Sequence, residues 1–156
     1  MAFDSERVLD ELGWRILNEL QRDARLSMAQ LGRKVGLSAP AAAERVRKLE
    51  DAGIVTGYRA QINLRLAGRP LLAFVRITAY GDVKAKVAAV VQKTPEILEA
   101  HRGTGSDCFI LKIAVRDILH LEQVTDRFVE FGQLTTSIVL STPLEGRPLT
   151  RLLPTY

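Results

Sequence analysis

Ser27-Met28-Ala29-Gln30-Leu31-Gly32-Arg33-Lys34-Val35-Gly36-Leu37-Ser38-Ala39-Pro40 is the stretch on which the fold turns. Ser27 and Gln30 have the S-x-x-Q spacing of a capping box, in which each side chain satisfies a backbone donor that the first helical turn leaves unpaired. A helix is therefore expected after Ser27, with Met28, Leu31 and Val35 turned inward. Gly36 suits the left-handed conformation that ends a helix, and Leu37 anchors the turn. Ser38 is a good N-cap for the next helix, whose first turn tolerates Pro40. Ala42, Val46 and Leu49 then recur at i, i+4 and i+7 as a buried stripe, and Gly53 terminates the helix. Two helices joined by so short a turn match a helix-turn-helix.

Upstream, Leu9, Leu12, Ile16, Leu17 and Leu20 form one apolar stripe. They predict a first helix from about Asp4 or Asp10 to Leu20. Gly13 inside it costs about 1 kcal/mol relative to alanine. Trp14 is expected to pack at the edge of this helical head.

Charge supports the same reading. From Arg25 to Arg59 there are seven basic residues and three acids, a local net of four positive charges. The whole chain is also +4, with a pI near 9.5. A basic face coinciding with a helix-turn-helix favours a polyanionic partner, double-stranded DNA.

After Gly53 the texture changes. Ile54 to Ile62 is rich in strand formers and reads as an extended connector. Residues 63–69, with Gly68 before Pro70, read as a hinge. Beyond it the pattern predicts a strand from Leu71 to Tyr80, a helix from Val83 to Gln92 and a strand from Ile97 to Thr104. A turn at Gly105-Ser106-Asp107 leads to a third strand from Cys108 to Val115. A second helix is expected from Asp117 to Phe131, with Ile118, Leu121, Val124 and Phe128 as its inner face, and a last strand from Thr135 to Ser141. The order βαββαβ predicts a four-stranded antiparallel sheet with both helices on one face, the ferredoxin-like arrangement. The fold class is thus α+β: a winged-type helix-turn-helix head (1–62), the hinge (63–69), a ferredoxin-like oligomerisation and sensing domain (70–143), and a tail (144–156) without clear period.

Both faces of this sheet read as apolar. Leu71, Ala73, Val75 and Ile77 alternate with Leu72 and Phe74, and Phe109, Leu111, Ile113 and Val115 alternate with Cys108, Ile110 and Ala114. An uncovered apolar face is costly, at about 25 cal/mol per Å², so a second copy is expected to cover it and the chain to be at least a homodimer.

Other classes are disfavoured. No apolar run approaches the roughly 20 residues of a membrane span, and the acidic start, Met1 to Asp10, is unlike a secretory leader, so a cytoplasmic location is expected. One cysteine, Cys108, excludes an internal disulfide, and two histidines, His101 and His120, argue against a metal cluster; no cofactor is expected. Cys108 reads as a small buried residue and His101 as a surface or interface residue. No convergent acid, base and nucleophile set points to an enzyme.

An ordered series of residues carries a family resemblance. In the head it runs Leu9-Asp10, Ile16-Leu17, Leu20-Gln21, Asp23-Ala24-Arg25, Leu31, Val35-Gly36-Leu37-Ser38, Arg45-Val46, Leu49-Glu50, Gly53-Ile54-Val55 and Gly57-Tyr58. Later come Pro95-Glu96, then Thr104-Gly105-Ser106-Asp107, then Thr135-Thr136-Ser137-Ile138-Val139-Leu140. The series, about residues 8 to 143, resembles the Lrp/AsnC (leucine-responsive, or feast-famine) regulators. It departs at Gly13, where that family usually has an acid, and at Ala42, where a bulkier aliphatic is usual. The resemblance implies a dimer that often stacks into a tetramer or octamer, binds DNA near promoters, and holds amino acids or related metabolites at an interface between sensing domains. Some relatives of this two-part architecture act on tetrapyrroles, with His101 the residue to watch; an assembly partner of other regulators is a further reading.

The DNA-facing residues expected are Ser27, Ser38, Ala39, Pro40, Ala43, Glu44, Arg45, Arg47 and Lys48. The amino-terminal end of the third helix meets base edges in such motifs, and here it is Ala39-Pro40-Ala41, with almost no hydrogen-bonding capacity. Direct readout is then sparse, left to Arg47 on guanine and Glu44 on cytosine. Much selectivity falls to DNA shape and half-site spacing. Arg45 reads equally as a partner of Glu50 or of an acid in the first helix. In the sensing domain, Thr104, Gly105, Ser106 and Asp107 form the candidate effector turn. Asp107 suits an amino group and the turn's backbone amides suit a carboxylate, while Thr136 and Ser137 add polar contacts. A plain hairpin is the competing reading of that turn.

Overall fold

A computed structural model describes residues 8–79, 81–105 and 108–151. The chain divides into two compact units. One takes the chain up to Ala60 together with the tail from Leu144, and the other spans Gln61–Pro143.

Among the described residues the first unit is built on three helices. Helix α1 runs Glu11–Arg22; its N-cap is Asp10, whose side chain accepts from the Gly13 N–H at 2.7 Å. The alternative start at Asp4 lies outside the described residues. The glycine at position 13 has a steric reason: an added Cβ would stand 2.2 Å from the Val8 carbonyl oxygen. Helix α2 is Met28–Val35, and its capping box is complete: Gln30 N–H donates to Ser27 Oγ at 3.2 Å and Ser27 N–H to Gln30 Oε1 at 2.9 Å. Gly36 turns left-handed (φ 78°), and the Leu37 N–H returns to the Gly32 carbonyl at 2.8 Å. Gly32 itself is buried with the Leu37 carbonyl oxygen 2.5 Å from where a Cβ would be. Helix α3, Ala39–Asp51, follows at once, capped by Ser38 Oγ on the Ala41 N–H, with Pro40 in its first turn.

The three apolar stripes meet in one core of Ile16, Leu17, Leu20, Leu31, Val35, Ala42, Val46 and Leu49, all buried. Trp14, Met28, Leu37, Ile54 and Val55 pack against it from the periphery. The connector after α3 has no strand partner among the described residues.

The second unit begins with a structured turn rather than a loose segment. Within 63–69, the Ala67 N–H donates to the Asn63 carbonyl at 2.9 Å and the Arg69 N–H to the Leu64 carbonyl at 2.8 Å. Arg69 Nη1 donates to the Pro95 carbonyl at 2.9 Å. Strand β1 is Leu71–Ala79, helix α4 Lys84–Gln92, strand β2 Ile97–Arg102, strand β3 Phe109–Val115, helix α5 Ile118–Thr125, and strand β4 Gly132–Ile138. All pairings are antiparallel in the order β2-β3-β1-β4, the ferredoxin-like topology. Tyr80, the expected end of β1, lies outside the described residues.

Three expectations are corrected here. The second helix does not continue to Phe131: α5 ends at Thr125 and a 3-10 turn, Asp126–Phe131, follows. Three residues per turn align Phe128 and Phe131, both buried, with ring centroids 6.4 Å apart edge to face. Ile118, expected inside, is 57% exposed, because the inward face of α5 begins only at Leu121. Strand β4 starts three residues early, at Gly132. There a Cβ would lie 2.1 Å from the Thr78 carbonyl oxygen, so glycine permits the close pairing with β1.

One sheet face packs Ala73, Val75, Ile77, Phe109, Leu111, Ile113 and Val115 against Val87, Leu121, Val124, Phe128 and Phe131. The opposite face keeps Phe74 and Ile110 at 40% and 36% exposure. It is not wholly apolar: the register places Lys112 beside Phe74 with Glu99 on the far side of Lys112, and Arg76 and His101 beside Ile110.

Candidate nucleic-acid interface and ligand face

With Ala42, Val46 and Leu49 committed to the core, α3 presents Pro40, Ala43, Glu44, Arg47 and Lys48 to solvent; Ala39 and Arg45 lie half-buried at its flanks. The polar members of this face are already partnered. Lys48 Nζ sits 2.8 Å from Glu44 Oε1, one helical turn away, and holds that carboxyl below its usual value. Arg47 Nη1 is 3.7 Å from Asp51, with both side chains about two-thirds exposed. Such exposed pairs are weak, so neither holds its cation firmly.

Arg45 differs. Its guanidinium is bound to Asp10, the N-cap of α1, and is 23% exposed. Of its two readings, the free chain takes the intramolecular ion pair, with the first helix rather than with Glu50. Glu50 accepts instead from the Tyr58 hydroxyl at 2.8 Å. Burial, then this carboxylate, pushes the Tyr58 phenol up to about 12. That bond ties the connector to the end of α3. The two serines among the DNA candidates, Ser27 and Ser38, spend their hydroxyls on helix caps.

In the second unit, Thr104 and Gly105 lie in the turn after β2, with Gly105 at φ 102°. Ser106 and Asp107 lie outside the described residues. Thr136 and Ser137 sit on the edge strand β4 and point to opposite faces: Thr136 pairs with Val75, on the helix side, and Ser137 with Phe74, on the open side. Strand β1 intervenes between β3 and β4, so the turn and the β4 pair are separated by at least two strand spacings, about 10 Å or more. One chain does not bring the two pairs together.

The open face carries a polar row that the sequence did not single out. Lys112 Nζ is 2.9 Å from Glu99 Oε1, and His101 Nε2 is 3.5 Å from Glu99 Oε2. Lys112, then burial opposed, then His101 leave the Glu99 carboxyl below its usual value. His101 is exposed, and Cys108 is half-buried against the core.

A second cluster was also unforeseen. Glu96, on the turn before β2, meets His120 Nε2 at 3.1 Å and Arg127 Nη1 at 3.6 Å. The Arg116 Nε lies 3.3 Å from His120 Nδ1. Burial opposes the Glu96 charge, but its own backbone N–H, His120 and Arg127 together hold the carboxyl below its usual value. Pro95-Glu96 stood out in the sequence only through resemblance; His120 and Arg127 had no spacing signal. Among the described residues no group of three or more His, Cys, Asp or Glu side chains is placed to hold a metal ion, and no helix is long and apolar enough to cross a membrane.

A capped helix-turn-helix with a basic exposed face, followed by a ferredoxin-like unit, defines a two-part DNA-binding transcriptional regulator. The family models agree: an AsnC-type helix-turn-helix domain matches residues 9–50 and an Lrp/AsnC ligand binding domain matches residues 72–149. The chain belongs to the Lrp/AsnC family.

It is 39% identical over 133 residues to the HTH-type transcriptional regulator YezC of Bacillus subtilis, covering 85% of this chain and 94% of that one. It is 32% identical to LrpC of the same species, over 85% and 92%. The feast or famine regulatory protein of M. tuberculosis, solved in complex with L-methionine, superposes with a TM-score of 0.85 at 29% identity, over 92% of this chain and 99% of that one. These relatives are regulators, and this chain is a regulator of the same kind, not an enzyme.

Proposed function

We propose that the protein is a sequence-selective regulator that places α3 in the major groove of double-stranded DNA, works as a homodimer or higher oligomer, and answers to an amino acid. The observation that carries the first part is the division of α3 into a buried Ala42/Val46/Leu49 stripe and an exposed face bearing Arg47 and Lys48 over a smooth Pro40/Ala43 end. Arg47 reads guanine and Glu44 accepts from cytosine, with Lys48 beside them. The alanines and proline leave the helix tip able to touch only thymine methyls.

A second copy covers the open sheet face around Phe74 and Ile110, with the Lys112–Glu99–His101 row carried into or beside that interface. The effector reading has support from the L-methionine complex of the relative above. An interface between copies fits the separation of Thr104 and Gly105 from Thr136 and Ser137, since a second chain supplies what one chain keeps at least two strand spacings apart.

Arg47→Ala tests the DNA reading. A loss of about 1–3 kcal/mol confined to preferred sites identifies a base contact. A uniform loss across sequences makes Arg47 a phosphate contact, and unchanged binding removes it from the interface. L-Methionine and the other amino acids are screened by thermal shift. A ligand at 100 times its Kd adds about 2.7 kcal/mol, and no stabilisation by any of them overturns the effector reading.

A further inference from the structure

Residues 144–151 form neither helix nor strand, yet the segment is held. The side-chain amide of Gln21, exposed near the end of α1, faces the backbone of Leu149. Gln21 Oε1 accepts from the Leu149 N–H at 2.7 Å, and Gln21 Nε2 donates to the Leu149 carbonyl at 3.0 Å. A primary amide carries the same donor and acceptor as a peptide group, so Gln21 does for Leu149 what a neighbouring strand would do. Pro148 fixes its own φ and favours an extended Arg147, leaving the segment less backbone freedom to lose on docking. The Leu149 and Leu144 side chains are 67% and 57% exposed. Burial adds little, and the amide clasp is the attachment.

The connectivity gives the clasp its meaning. The tail groups with the helical head, whereas β4, which it follows, belongs to the second unit. The chain thus passes between the units twice, once after Ala60 and again after Pro143. We propose that residues 144–151 are a releasable strap: a second tether, in the same chain, that runs from β4 back to α1 and restricts the range of the DNA-binding head. This rests on the proposed reading of the head. A head on one tether samples many positions; a second tether concentrates it at a few and depletes the rest. The strap is releasable because its hold is two exposed hydrogen bonds, both replaceable by water. Thr136 and Ser137 lie on the strand from which the strap departs, so a ligand there acts at its root.

The test compares the full chain with Gln21→Ala and Leu149→Pro. The first places a better helix former at an exposed helical position; the second removes the tail N–H and keeps the tail. Hydrogen exchange at the Leu149 amide, the clasped N–H, is expected to be slower in the parent chain than in Gln21→Ala by about tenfold, and equal rates in the two overturn the clasp; Leu149→Pro, which has no amide there, enters the DNA assay. The double variant is expected to go no further than either single one. Affinity is then measured on duplexes carrying two half-sites selected from a random pool, their spacing varied by up to about half a helical turn. The parent chain is expected to lose about tenfold or more across the series and the variants less than about threefold. Identical spacing profiles overturn the strap's role. Should the parent chain bind none of the duplexes, the DNA reading fails and the exchange result still decides whether the clasp exists.

Discussion

Asp10 performs two tasks at once, and substitution separates them. One carboxylate oxygen caps α1 by accepting from the Gly13 N–H at 2.7 Å; the other is bound to Arg45 of α3. Asp10→Ala removes both contacts. Asp10→Asn keeps an oxygen for the cap and removes the charge. Loss of such a cap costs about 1 kcal/mol. The ion pair is partly exposed, with Asp10 at 47% and Arg45 at 23%, which puts it at about 0.2–1 kcal/mol. Asp10→Ala is therefore expected to cost about 1–2 kcal/mol and Asp10→Asn less than about 1 kcal/mol. In a unit of this size each kcal/mol moves the thermal midpoint by about 4–8 °C.

The pH dependence follows from the same contacts. Arg45, then the Gly13 amide, hold the Asp10 carboxyl below its ordinary value of 3.8 despite burial. A carboxyl with a depressed folded value stabilises fully above its unfolded value, and the contribution is lost as pH falls through the folded one. The gap between parent and Asp10→Asn is thus present at neutral pH and closes in acid below 3.8. Urea unfolding followed through Trp14, the single tryptophan of the chain and a neighbour of the head's core, reads it out. Equal losses for Ala and Asn refute the cap. An Asn gap unchanged between pH 7 and strong acid refutes the ion pair. Because Asn also frees Arg45 beside α3, its DNA binding is expected to depend more steeply on salt, by about one phosphate contact.

Three further outcomes are expected. Leu49→Ala, at a side chain 1% exposed in the head's core, is expected to cost about 2–5 kcal/mol. It should lower the Trp14 transition while the circular-dichroism signal of the second unit melts where it did; joint melting contradicts two separate cores. Phe74→Asp, on the open sheet face that the proposed second copy covers, is expected to give a folded monomer in sedimentation equilibrium where the parent chain is at least a dimer, and a mass equal to the parent's removes that face from the assembly. Glu96→Gln removes the charge that His120 and Arg127 share, at an expected cost of about 1–3 kcal/mol. Since the Glu96 carboxyl lies below its usual 4.5, that gap is present at neutral pH and disappears in acid; thermal melts across pH check it.

The local signals were legible. The Ser27/Gln30 box, the Gly36 stop, the Ser38 cap and the Ala42/Val46/Leu49 stripe appear as expected, because each is settled by residues within one or two helical turns. The βαββαβ order was legible for the same reason. Where the reading slipped, a non-local contact or a change of helical pitch decided. Gly132 drew β4 three residues forward by allowing β1 to approach, and the 3-10 turn after Thr125 shortened α5. The α3 face was visible as a set of residues, and an acid of the first helix stood among the partners expected for Arg45, but the pairings of Glu44 with Lys48 and of Arg47 with Asp51 were not foreseen.

By itself, then, the sequence determined two units, their elements, the buried stripes and the basic character of the recognition helix, since hydrophobic period and end-capping act over short stretches of chain. Tertiary structure alone decided which polar groups meet. Asp10 reaches Arg45 across 35 residues and Gln21 reaches Leu149 across 128, while Thr104 and Thr136 are kept apart by the strand order. The physical reason is range: a polar contact needs its partner within about 3 Å, and no periodicity along the chain encodes where a distant segment comes to lie.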